Sequence, residues 1–294
     1  MFAIAHHQEQ YKIYSLSDTA SDSWLEVVPE RGGIITKWGV NGQELLYLDT
    51  ERFTHPELSV RGGIPILFPI CGNLPNNVYT HQEQEYTLKQ HGFARDLPWS
   101  VISQETGDIA SISLQLTSNE ETKQVYPFEF TLVFTYQLIG NTVKILQSYT
   151  NHSSEPMLFS AGLHPYFAVN DKSQLEFAIP ASEYTDQRTR EIFAYRNHLD
   201  LDREELDLAF GYMAANFARV TDNQTQRQLY LQFAPDFNTV VFWTLKDKPF
   251  YCIEPWTAGR NALNTGDRII KLAPNTTLET WVELQSLQLT EHTS

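Results

Sequence analysis

The stretch Phe128–Thr150, FEFTLVFTYQLIGNTVKILQSYT, decides the fold. Two runs rich in β-branched and aromatic residues, Phe128–Leu138 and Thr142–Thr150, flank Gly140-Asn141 and read as a long hairpin. Upstream, Ala110–Ser118 alternates apolar and polar residues, the period of a half-buried strand. Toward the N-terminus lie Trp24–Val28, Ile34–Val40 and Glu44–Leu48, the last two joined by Asn41-Gly42, a two-residue signal for a type I′ turn. Met157–Val169, Leu175–Ala181, Gln228–Ala234, Thr239–Thr244, Tyr251–Trp256 and Leu278–Leu287 complete the set. One helix is expected, over Arg203–Asn216, on a loose apolar period. Many strands without αβ alternation predict an all-β sandwich or barrel. No repeat, low-complexity tract or Pro/Gly/Ser linker interrupts the chain, so residues 1–294 are expected to form one domain.

Charge narrows the partners. Thirty-six acidic residues against 21 Lys and Arg leave a formal charge of −15, a surface that repels phosphate backbones and anionic lipid. Neither nucleic acid nor a membrane is expected as a partner. Only Cys71 and Cys252 are present, too few for a disulfide framework. The opening MFAIAHHQEQYK lacks a basic region followed by an apolar run, so a cytoplasmic location is expected.

Four segments are over-specified for plain strands or turns. In Arg61-Gly62-Gly63-Ile64-Pro65-Ile66-Leu67-Phe68-Pro69, paired glycines and two prolines fix an irregular backbone behind an arginine. His91-Gly92-Phe93-Ala94-Arg95 is followed closely by Leu97-Pro98-Trp99. The others are Gly162-Leu163-His164-Pro165-Tyr166-Phe167 and Cys252-Ile253-Glu254-Pro255-Trp256. Each has a structural reading as well. His164 is a candidate hydrogen-bonded strand histidine, His91 a turn residue, and Arg61 and Arg95 ordinary salt-bridge arginines. Glu254 stands out, because a carboxylate in so apolar a run is costly to bury unpaired. Strand alternation puts Cys252, Glu254 and Trp256 on one face. Sequence spacing alone does not bring His164 and Glu254 together.

Taken in order, RGGIP-x-x-FP, HGFAR-x-x-PW, LHPYF and C-x-EPW resemble the aldose 1-epimerase (galactose mutarotase-like) family, from about Arg61 to Trp281. The resemblance implies a large antiparallel β-sandwich and the interconversion of α and β anomers of a hexose. It implies Glu254 as the base that takes the C1 hydroxyl proton and His164 as the acid that protonates the ring oxygen. His91 and Asp207 match positions that contact the sugar. Arg61 and Arg95 resemble the glucose-6-phosphate 1-epimerase branch, where arginines hold the phosphate. Lys89 is a candidate third cation. The expected partner is thus a sugar or sugar phosphate, with no metal and no cofactor. A carboxylate beside His164 is expected to raise its pKa and favour imidazolium.

Three rival readings make different demands. A non-catalytic carbohydrate-binding protein of the same fold leaves no need for both His164 and Glu254. A glycoside hydrolase would use Glu254 and Asp207 as its carboxylates and gives His164 no role. A zinc site from His91, His164 and Glu254 lacks the close spacing such sites show.

Overall fold

In the computed structural model, which describes residues 1–289, the chain folds almost entirely as antiparallel β-sheet. The hairpin forms as expected: Phe130–Ile139 pairs with Thr142–Asn151 in unbroken register, from Phe130 opposite Asn151 to Ile139 opposite Thr142. Its inner face carries Phe130, Leu132, Phe134, Tyr136 and Leu138 on one strand and Val143, Ile145 and Tyr149 on the other, all buried. The hairpin is central to an eight-stranded sheet. Ala110–Thr117 extends it on one side and the long Thr277–Gln288 strand on the other.

A five-stranded N-terminal sheet, Phe2 to Glu44, packs into the same core through Tyr14, Leu16, Leu25 and Trp38. Its last turn has Asn41 at φ 53° and Gly42 at φ 73°, the two positive angles a type I′ turn requires. The strand expected over Glu44–Leu48 is shorter. Only Gln43–Glu44 pairs with Ile34–Val40, after which isolated bridges join Leu46 to Phe167 and Leu48 to Gly62. This crossing ties the N-terminal sheet to a second eight-stranded sheet.

That second sheet runs from Ile192–Ala194 through Glu183–Asp186, Glu205–Phe210, Thr239–Leu245 and Phe250–Trp256 to Gly162–Leu163 and Ile66–Leu67. Tyr166–Ala168 also pairs with Phe250–Trp256. Leu206, Leu208, Phe210, Val240, Phe242, Tyr251 and Ile253 face the shared core. The architecture is the antiparallel sandwich expected.

Two further expectations need correction. The Arg203–Asn216 segment is not helical: Glu205–Phe210 is a strand paired on both sides. Its sequence, ELDLAF, buries every second residue, and two neighbouring strands satisfy its backbone groups better than an isolated helical turn would. The run Met157–Val169 is not one strand but three short ones, Met157–Phe159, Gly162–Leu163 and Tyr166–Ala168. Pro165 has no N–H to continue a ladder, so the second of the two breaks falls at His164-Pro165. Helix is confined to short pieces such as Thr50–Thr54 and Glu120–Val125, and among the described residues no helix is long and apolar enough to cross a membrane.

Candidate active site

Strand register explains how distant motifs converge. Gly162 pairs with Trp256, and Tyr166 pairs with Cys252. His164, at the break between those two pairings, therefore stands opposite Glu254. Its own N–H is satisfied by the Pro65 carbonyl at 3.0 Å, which anchors the RGGIP segment beneath it. On the other side, Val241 pairs with Glu254 and Asp207 with Trp243. Alternation then puts Asp207, Val241, Trp243, Cys252, Glu254 and Trp256 on the sheet face turned away from the shared core.

The HGFAR segment closes the remaining side. Gly92, at φ +70°, packs so tightly on the Phe68 carbonyl that a Cβ would lie 2.2 Å from that oxygen. Only glycine fits there. Phe93 and Ala94 both donate backbone N–H groups to the same carbonyl. His91 is buried, with its Nδ1 accepting the Gly72 N–H at 3.1 Å. Its proton therefore resides on Nε2. The rings of His91 and His164 are 5.5 Å apart and nearly perpendicular.

These elements enclose a cavity of about 350 Å³ lined by Arg61, His91, Arg95, His164, Asp207 and Glu254, with Trp243, Trp256 and Arg260. All six residues singled out in the sequence meet here. Lys89 is exposed and does not line the cavity. A larger groove of about 710 Å³ is bordered by exposed Asp171, Asp200, Asp202, Asp247, Lys246 and Lys248, without such convergence.

At the cavity floor, His164 Nε2 lies 3.3 Å from Glu254 Oε1, with the residues 8% and 1% exposed. Trp256 Nε1 donates to the other carboxylate oxygen at 3.1 Å. Four of six buried side-chain polar atoms without a partner, among the described residues, belong to this cavity: Arg95 Nε, His164 Nδ1, Asp207 Oδ1 and Arg260 Nε. Buried polar atoms are rarely left unpaired, so their convergence marks a surface made for a polar ligand.

Arg260 escaped the sequence reading. Its Nη2 donates to Asp207 Oδ2 at 2.7 Å and its Nη1 to Asn73 Oδ1 at 2.9 Å. It follows the EPW motif by a few residues, but its partner lies on another strand, so nothing local signalled it. Arg95 donates to the Gln90 carbonyl at 2.8 Å, and Arg61 lies 6.0 Å from the Trp243 ring centre. Neither has a carboxylate within salt-bridge distance among the described residues, which leaves both charges facing the cavity.

Protonation differs from expectation. Burial, then the cations of Arg95, Arg260 and Arg61, lower the His164 pKa to about 3. Burial, then repulsion from Asp207, raises that of Glu254 well above its ordinary value. Burial and Arg95 likewise keep His91 neutral. In the free site both shifts favour the neutral forms, an imidazole beside a carboxyl. The expected upward shift of His164 is outweighed by burial and by the arginine cations. Nitrogen NMR of labelled imidazoles should show His164 neutral as pH falls past the ordinary value of ~6.5. Its protonation near that value would contradict this arrangement.

The family model described as aldose 1-epimerase matches residues 17–285, and the chain belongs to that family. It is similar to Slr1438 protein from Synechocystis sp. PCC 6803, at 44% identity and a TM-score of 0.94, covering 98% of this chain and 100% of that one. A galactose mutarotase-like protein from Clostridium acetobutylicum shares the fold at 20% identity, with a TM-score of 0.84 and coverage of 98% and 99%. A relative from Escherichia coli K12 named "Putative glucose-6-phosphate 1-epimerase" is 29% identical over 160 residues, 53% of this chain and 49% of its own length. A Cenchrus ciliaris protein of the same name is 28% identical over 231 residues, 74% of this chain and 66% of its own. The chain thus spans about half to two thirds of the length of these two relatives.

Proposed function

We propose that the protein is a mutarotase acting on a hexose 6-phosphate such as glucose 6-phosphate, with Glu254 and His164 as its acid–base pair. The observation that carries this reading is the buried 3.3 Å His164–Glu254 contact, facing a cavity lined by two arginines free of carboxylate partners. Family membership supports the reaction class, and the names of the two relatives support the phosphate.

The chemistry follows from one shared proton. A sugar entering the cavity places its C1 hydroxyl and ring oxygen against the pair, and the proton passes from Glu254 to His164. The negative phosphate favours this transfer, because it offsets the arginine cations that disfavour imidazolium. Glu254 then takes the C1 hydroxyl proton as the C1–O double bond forms. The C1–ring-oxygen bond breaks, and His164 donates its proton to that oxygen. The carboxyl is again protonated and the imidazole neutral, the distribution that burial favours in the free site. Rotation about C1–C2 presents the other aldehyde face, and closure reverses each transfer. The free Asp207 oxygen and His91, whose Nε2 also lies 3.2 Å from the Gln90 side-chain amide, are the groups offered to sugar hydroxyls. Such positioned proton transfers contribute about 10²–10⁴-fold.

A polarimetric comparison of glucose, galactose and their 6-phosphates tests the substrate. A higher kcat/KM for a 6-phosphate is expected. Equal values for the free and phosphorylated sugars would remove the phosphate from the reading.

A further inference from the structure

We propose that His164, Cys252 and Glu254 form a binding site for a thiophilic divalent cation, best matched by Zn²⁺, whose occupation switches the proton pair off. One ring nitrogen of His164, Cys252 Sγ and one Glu254 oxygen lie within 4.8 Å of one another, all buried. Cys252 precedes Glu254 by two positions on one strand, so both side chains leave the same face. His164 stands opposite through the register already described. Two of the donors thus share one strand, and His164 sits at the break between two short strands paired with it.

The donor set and spacing suit zinc. Zinc takes thiolate sulfur at about 2.3 Å and imidazole nitrogen or carboxylate oxygen at about 2.0–2.2 Å, in tetrahedral array. Two such bonds to nitrogen and oxygen span roughly 3.3–3.4 Å at the tetrahedral angle. His164 Nε2 and Glu254 Oε1 are already 3.3 Å apart. A thiolate selects against magnesium and calcium, which prefer oxygen ligands. His164 and Glu254 line the cavity, from which water or a sugar hydroxyl would supply the fourth ligand. Binding displaces the carboxyl and thiol protons to solvent and occupies the imidazole lone pair. Neither group then remains available to exchange protons with a sugar.

This site shares His164 and Glu254 with the proposed reaction, and only its inhibitory half rests on the mutarotase reading. The two halves are tested separately. Titrating Co²⁺ into the full chain should produce a thiolate-to-cobalt charge-transfer band in the near ultraviolet, abolished by Cys252→Ala and kept by Cys71→Ala. In the mutarotation assay, Zn²⁺ should inhibit wild type and chelator should restore the rate. Measured against each variant's own metal-free rate, Cys252→Ala and Cys252→Ser should require at least about tenfold more Zn²⁺ for half inhibition, since losing even an outer partner of a metal site costs about 10–100-fold in affinity. No charge-transfer band in wild type, or a band that survives Cys252→Ala, would overturn the site. A band without zinc inhibition would overturn the switch alone. A chain that binds Co²⁺ but turns over no sugar would instead refute the mutarotase reading.

Discussion

Glu254→Gln is expected to lower turnover at least about a hundredfold while leaving the fold intact. The amide matches the carboxyl in size. Its oxygen still accepts the Trp256 indole N–H that Glu254 accepts at 3.1 Å. Burying a neutral amide on this face costs no more than burying a carboxyl, so the melting temperature should stay near that of wild type. What disappears is the group that takes the C1 hydroxyl proton and holds it while the ring is open. His164→Asn removes the other half and should have an effect of similar size. The double variant should be little worse than either single one, because one shared proton makes the two groups a unit. Near-native turnover in either single variant would remove that residue from the pair.

Arg61→Ala is expected to raise KM for a hexose 6-phosphate far more than for the free hexose. A charge-assisted hydrogen bond contributes about 1.5–3 kcal/mol, equivalent to about ten- to over a hundredfold in affinity. Arg95→Ala should act in the same direction. Its guanidinium also donates to the Gln90 carbonyl beside His91, so a smaller loss is expected for free sugar as well. Arg61 is exposed and carries no comparable duty, which makes its variant the cleaner test. Lys at either position should rescue only in part, because a point charge lacks the planar fork. Added sulfate should compete with the phosphorylated sugar and leave the free one unaffected. Equal KM increases for both sugars would make these arginines supports of the loop, not phosphate ligands.

Much of the sheet was legible because alternation is a local signal. The Phe130–Asn151 hairpin needs only its own residues to define strands and turn, and the Asn41-Gly42 turn follows from two residues that tolerate positive φ. Glu205–Phe210 was misread because a six-residue strand flanked by Asp202, Arg203 and Glu204 offers too short a period to outweigh a loose helical one. The pairing partners that settle it lie in other parts of the chain. The same limit governed the site. Motifs marked His91, His164 and Glu254, yet Arg260 became visible only when a neighbouring strand brought Asp207 to 2.7 Å. The upward shift of Glu254 depends on burial and on Asp207, which belongs to a different strand. The contact between His164 and Glu254 needed the pairings of Gly162 and Tyr166 on either side of the Pro165 break.

The central claim is that this sheet face moves one proton between Glu254, His164 and a sugar's hemiacetal. Magnetisation-exchange NMR on an equilibrated α/β mixture of glucose 6-phosphate, labelled with heavy oxygen at C1, tests it most directly. The account predicts faster exchange between the anomeric signals, an unchanged anomer ratio, and retention of the label, because ring opening leaves the C1–O1 bond intact. Glu254→Gln should return the exchange to the uncatalysed rate. Binding of the sugar without faster exchange, or exchange accompanied by loss of the label, would contradict it.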